Sequence, residues 1–152
     1  MPAVLDAAHV VKRLHSAFSK QTPRQEMLTL AAELIRESGA PYTSVYLYML
    51  HGNDLVLEAY SGRDTDHVRI PVGKGVCGTA VATGEDQNVG DVQGRENYIA
   101  CNLFTKSELV VLIKRGNHIL GQIDVDSDVL DPFTDDEVHA VRQVAEALAV
   151  LL

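Results

Sequence analysis

No stretch of this chain approaches the roughly 20 consecutive apolar residues that a membrane-spanning helix requires, so no membrane partner is expected. Positive charge is also scarce. Thirteen Lys and Arg stand against 21 Asp and Glu, for a net charge of −8, and an acidic surface of that kind repels phosphate backbones, which argues against a nucleic-acid partner. Cysteine is scarcer still: Cys77 and Cys101 alone cannot build a disulfide framework. The six histidines lack metal-ligand spacing, so no metal is expected. The start, Met1-Pro2-Ala3-Val4-Leu5-Asp6, lacks the basic-then-apolar order of an export signal. A reducing cytoplasm is therefore the expected setting, where a functional cysteine is usually catalytic or redox-active. The glycine-rich stretch Gly73-Lys74-Gly75-Val76-Cys77-Gly78 fits neither the phosphate-loop nor the dinucleotide spacing. What remains is a chain of 152 residues, 46% apolar and 22% charged, which suits a single domain over residues 1–152 with a sizeable core.

Two helices open the chain. Leu5, Ala8, Val11, Leu14 and Phe18 recur at helical spacing, and Thr22-Pro23-Arg24-Gln25 predicts a second start, with Thr22 as cap and Gln25 closing a capping box. Met27, Leu30, Ala31, Leu34 and Ile35 form its apolar stripe, and Gly39 with Pro41 ends it. From Thr43 the period changes to two. Ser44–Leu50 and Leu55–Tyr60 flank the hairpin turn His51-Gly52-Asn53-Asp54, with a short strand at His67–Ile70 beyond them. The glycine-rich stretch then enters a short helix that stops at Gly84, and a brief strand falls within Asp86–Val92. Gln93 to Lys106 reads as a loop with helical turns. Ser107–Lys114 and Ile119–Asp126 make a second hairpin around Arg115-Gly116-Asn117-His118. Phe133-Thr134-Asp135-Asp136-Glu137-Val138 starts a final helix, with Thr134 and Glu137 as capping box. The order predicts an α+β fold: a mainly antiparallel sheet of about six strands, covered by the N- and C-terminal helices on one face.

Cys101 stands out by its company. It lies in Tyr98-Ile99-Ala100-Cys101-Asn102 and is followed by Glu108, Asp124 and Asp126. A thiolate attacks electrophilic sulfur, carbon or oxygen, and crowded carboxyl groups can retain one proton near neutral pH for use as a general acid. Asp124 and Asp126 alternate on one strand and so share a face, which is also how an ordinary solvated sheet face reads. Glu108 joins them only if it pairs opposite an even-numbered residue of the next strand. A two- or four-residue turn at Gly116-Asn117 would set it opposite Val125 instead, so a cluster requires an odd loop or a bulge. Cys77, at the predicted start of the short helix, sits where the helix dipole lowers a thiol pKa, although a small packed residue would read the same way.

These segments resemble a known family. The layout is similar to the GAF domain, which implies a ligand pocket on the face opposite the terminal helices. Arg69-Ile70-Pro71-Val72-Gly73-Lys74-Gly75-Val76-Cys77-Gly78-Thr79-Ala80, Ile99-Ala100-Cys101, Ser107-Glu108, Asp124-Val125-Asp126-Ser127 and Phe133-Thr134-Asp135-Asp136-Glu137 look like the free methionine-(R)-sulfoxide reductases. The resemblance implies thiol-dependent reduction of free methionine-(R)-sulfoxide with Cys101 as nucleophile. Glu108, Asp124 and Asp126 would bind substrate, with Asp126 also as acid, and Thr79 or nearby backbone would line the pocket. It also implies Cys77 as a candidate resolving thiol, no bound cofactor, and an external reductant such as thioredoxin or glutathione. Two places depart from the family. His67 stands where it has a further cysteine, and Ser44 stands where it has a tryptophan, a residue this chain lacks. Two other roles stay open: a GAF module that binds a metabolite or senses oxidant without catalysis, and a homodimer formed through the terminal helices.

Overall fold

The computed structural model describes residues 2–94 and 104–152. Helices α1 (Ala7–Ser19) and α2 (Arg24–Arg36) lead into strands β1 (Ser44–His51), β2 (Asp54–Ser61) and β3 (Arg69–Pro71). Then come α3 (Gly75–Thr83), β4 (Gln87–Val89), a 3-10 turn at Val92–Gly94, β5 (Ser107–Arg115), β6 (His118–Ser127) and α4 (Asp135–Leu151). The six strands form one antiparallel sheet in the order β3-β2-β1-β6-β5-β4. The predicted α+β class and strand pairing hold.

Strand alternation divides the sheet into two faces. Val45, Leu47, Met49, Leu109, Val111, Ile113, Ile123 and Val125 point toward α1, α2 and α4 and make the main core with Leu14, Leu28, Ile35, Val141, Val144 and Leu148. The opposite face carries a second cluster, with Tyr46, Tyr48, Val110 and Leu112 packed against Val76, Cys77 and Ala80 of α3. Gly84 closes α3 in the left-handed region at φ 72°, as its place in the sequence predicts.

Several local expectations need correction. Leu5 and Leu14 are buried as predicted, but Ala7 and Val10 take the buried places expected of Ala8 and Val11, and Phe18 is exposed. The second helix begins at Arg24 with Pro23 in the cap position and no side-chain cap. Gln25, predicted to close a capping box, instead donates to the Glu58 carbonyl. The box at α4 is half made: Glu137 N–H donates to Thr134 Oγ1 at 3.4 Å. The Glu137 carboxylate turns inward, accepting from Val4 N–H at 2.6 Å, Leu5 N–H at 3.3 Å and the Tyr42 hydroxyl at 2.6 Å. Those partners lie more than 90 residues away in sequence, so no local pattern announces them.

Candidate functional site

The β5–β6 hairpin meets the condition set by the sequence. Its turn is the two-residue Gly116-Asn117, with Arg115 opposite His118 and Lys114 opposite Ile119. Unbroken pairing would place Glu108 opposite Val125. The register shifts after Lys114, however, so that Ile113 faces Gly121 and Leu120 is the extra residue of a bulge. Beyond it Glu108 lies opposite Asp126, and Val110 opposite Asp124. All three carboxylates therefore stand on the face away from the main core. Gly121 makes the bulge compatible with its neighbour: a Cβ there would sit 2.3 Å from the Tyr48 carbonyl oxygen and 2.9 Å from Met49 Cα. A glycine inside a strand pattern is the sequence signal for such a bulge.

The carboxylates are buried. Glu108 is 5% exposed, and Asp124 and Asp126 are 2% exposed. Cys77 comes down on them from the first turn of α3, its Sγ donating to Glu108 Oε2 at 3.7 Å. Gln122 Nε2 donates to the Cys77 carbonyl at 3.1 Å and ties that turn to β6. Cys77 Sγ and one oxygen each of Glu108 and Asp124 lie within 4.8 Å of one another. They border a cavity of about 10 Å³, also lined by Tyr48, His67, Ile70, Lys74, Gly75 and Val76. That is room for about one water molecule.

Burial first, and then the Asp126 carboxylate, push the Asp124 pKa from 3.8 up to about 7; hydrogen bonds from Glu108 and Cys77 pull it partly back. A hydrogen bond between two carboxyl groups requires a proton on one of them, so the cluster retains a proton near neutral pH. Cys77 moves the wrong way for the predicted activation. Burial, and then the Asp124, Glu108 and Asp126 carboxylates, raise its thiol pKa well above the usual value. One helix terminus does not offset full burial beside three acids.

The wall beside the acids is the segment between β2 and β3. Tyr46 and Tyr48 alternate with Val45, Leu47 and Met49, so both rings face the site. The Tyr46 hydroxyl donates to the Arg63 carbonyl and that of Tyr48 to the His67 carbonyl, each at 2.7 Å. Ser44 Oγ accepts from Arg63 N–H at 3.0 Å. Gly62 packs on the same serine, where a Cβ would meet Ser44 Oγ at 2.5 Å. The Arg63 guanidinium forms a two-point ion pair with Asp128, at 2.7 and 2.5 Å, and lies 5.2 Å from the centre of the Phe104 ring. Chain alternation could have flagged Tyr46 and Tyr48, but nothing local predicts the Arg63–Asp128 pair. Of the predicted site residues, Glu108, Asp124, Asp126 and Cys77 converge. Thr79 does not line the cavity; its hydroxyl donates to the Gly75 carbonyl at 2.6 Å. Cys101 lies outside the described residues.

A sheet with helices on one face and a buried polar site on the other is the arrangement of a known family, and the GAF domain family matches residues 23–152. The chain belongs to the GAF domain family. Among its relatives, the free methionine-R-sulfoxide reductase of Escherichia coli is 41% identical over 105 residues, which span 69% of this chain and 63% of that protein. The solved type II free methionine-R-sulfoxide reductase of Thermoplasma acidophilum is 33% identical, with a TM-score of 0.81 over 84% of this chain and 91% of that one. The free methionine-R-sulfoxide reductase of Neisseria meningitidis, solved in complex with its substrate, is 28% identical, with a TM-score of 0.86 over 95% of this chain and 87% of that one. No helix among the described residues is long and apolar enough to cross a membrane.

Proposed function

We propose that this protein reduces free L-methionine-(R)-sulfoxide to methionine, using Cys101 as the nucleophile. The observation that carries this reading is the burial of three neighbouring carboxyl groups, Glu108 and Asp124 of them lining one cavity with the thiol of Cys77. Buried acids without a cation are costly, and a free amino acid brings an ammonium group that a peptide-bound methionine lacks. The likeness to reductases named for this substrate points the same way. Methionine sulfoxide exceeds the cavity, so the side chains over the acids must move apart when it binds.

The chemistry balances with two thiols and one retained proton. The Cys101 thiolate attacks the sulfoxide sulfur, and the Asp124–Asp126 pair supplies the proton that turns the departing oxygen into a good leaving group. The protonated oxygen leaves as hydroxide and attacks the Cys101 sulfur, the new S–S bond breaks with its electron pair going to the methionine sulfur, and Cys101 becomes a sulfenic acid as methionine is released. Cys77 then attacks that sulfur, forming a disulfide and releasing water. Its raised pKa makes it slow until a base takes its proton, and the adjacent carboxylates are positioned to do so. An external thiol such as thioredoxin or glutathione reduces the disulfide, which suits a reducing cytoplasm. Dimerisation through the terminal helices is a separate expectation of this reading.

The test is direct. Purified protein with dithiothreitol should release methionine from the free (R)-sulfoxide but not from the (S) epimer or from N-acetylated substrate. Cys101→Ser should abolish turnover. Absence of turnover with every thiol donor, alongside tight binding of another metabolite, would mark a non-catalytic sensor instead.

A further inference from the structure

We propose that Cys77, Glu108 and Asp124 form a binding site for a thiophilic divalent cation of the zinc class. The three residues come from α3, β5 and β6, so sequence spacing hides the set. Their donor atoms lie within 4.8 Å of one another. In a tetrahedral site with Zn–S near 2.3 Å and Zn–O near 2.1 Å, sulfur and oxygen stand about 3.6 Å apart. Cys77 Sγ and Glu108 Oε2 are already separated by 3.7 Å.

A second observation points to a ligand. Asp124 is 2% exposed and lines the cavity, yet its Oδ1 has no hydrogen-bond partner among the described residues. A buried carboxylate oxygen left without a donor is expensive, and a cation satisfies it more fully than a water molecule. The cavity of about 10 Å³ takes one ion without rearrangement, unlike an amino acid. Sulfur in the donor set selects zinc-class ions over magnesium or calcium. On binding, the Cys77 thiol releases its proton to solvent and becomes a thiolate ligand, with no change of oxidation state. Solvent or His67, which lines the same cavity, would complete the coordination. If the reductase reading also holds, the ion occupies the place of the substrate ammonium and ties up Cys77, so it acts as a competitive inhibitor.

The experiment uses the full, tag-free chain carrying Cys101→Ser, which removes the other thiol. Titration with Zn2+ by calorimetry should show one ion per chain, and Co2+ should give a thiolate-to-metal charge-transfer band. Adding Cys77→Ser should eliminate the band. Adding Asp124→Asn, which removes a buried charge rather than a packed side chain, should weaken Zn2+ binding by more than roughly tenfold, since even an outer partner of a metal ligand is worth that much. Failure of the parent to take up an ion overturns the proposal. So does binding that is unchanged by Cys77→Ser in a protein whose circular dichroism matches the parent. These readouts need no substrate, so a failure of the sulfoxide assay leaves them standing, and the converse also holds.

Discussion

Both faces of the sheet bury a carboxylate against neighbouring elements, and the two are in opposite states. On the helix side, Glu137 is 6% exposed and accepts from two backbone N–H groups and a tyrosine hydroxyl. On the other side, Asp124 is as buried, carries an oxygen with no donor among the described residues, and faces two more acids. Glu137 is fastened: its bonds hold the start of the chain to α4, and removing them leaves polar groups stranded. Asp124 holds nothing together that a neutral residue would not hold as well. A fold gains nothing by burying three acids together, two of them lining a one-water cavity, so the difference between the two carboxylates separates architecture from a site awaiting a cation.

The strongest way to break this contrast is to disturb the bulge that puts Glu108 with the aspartates. Gly121→Ala places a methyl group 2.3 Å from the Tyr48 carbonyl oxygen, against backbone that cannot swing aside. The β1–β6 pairing must open or the bulge must move, at an expected cost on the order of 3 kcal/mol or more. For a chain of this size that corresponds to a fall in melting temperature on the order of 10 °C. Sulfoxide turnover should fall with it even well below the melting point, because β5 and β6 carry all three acids. A variant with unchanged melting temperature and activity would show that the bulge does not hold the site.

Much of this arrangement is legible in the amino-acid sequence. Periodicity gave the helices and hairpins because each depends on residues three, four or two apart, and the pairing rule named the condition under which Glu108 would join Asp124 and Asp126. What it could not supply was the choice between the two registers. Gly121 signals that a bulge is possible, but the contact that requires it is with β1 rather than with its own hairpin, so local sequence does not decide the register. The same limit explains the inverted expectation for Cys77. A helix start is visible locally, whereas burial and three acids arriving from two other strands are not. Thr22 and Gln25 failed as a capping box for a related reason: Glu58, 33 residues further on, offers Gln25 a tertiary partner.

A smaller change sharpens the contrast by making Asp124 neutral. The folded-state pKa of Asp124, about 7, lies above its unfolded value of 3.8. Folding is therefore favoured most below the unfolded value, and that contribution is lost as pH rises through about 7. Asp124→Asn removes the group that must ionise in a buried site. At pH 8 it should be more stable than the parent by about 1–3 kcal/mol, with the gain shrinking toward pH 5. Urea midpoints at the two pH values measure this. Parallel shifts at both would mean that Asp124 does not carry the retained proton. Activity should fall sharply in the same variant, the usual outcome when a destabilising charge is kept for function.

The smallest effect on stability is expected at Arg63, and it tests whether the wall beside the acids belongs to the site or to the fold. Its ion pair with Asp128 is more than a third exposed on both sides, so breaking it should cost no more than about 1 kcal/mol. The guanidinium nevertheless pins a segment whose backbone is also gripped by Ser44 and Tyr46, on the strand that borders Asp124 and Asp126. Arg63→Ala should therefore leave the melting temperature nearly unchanged while raising KM for the sulfoxide several-fold, with kcat less affected. Asp128→Ala should do the same, and the double variant should add little, because both remove one interaction. Equal falls in kcat and kcat/KM would instead place Arg63 among the groups that act on the transition state. A change confined to stability would return the segment to the architecture, beside Glu137.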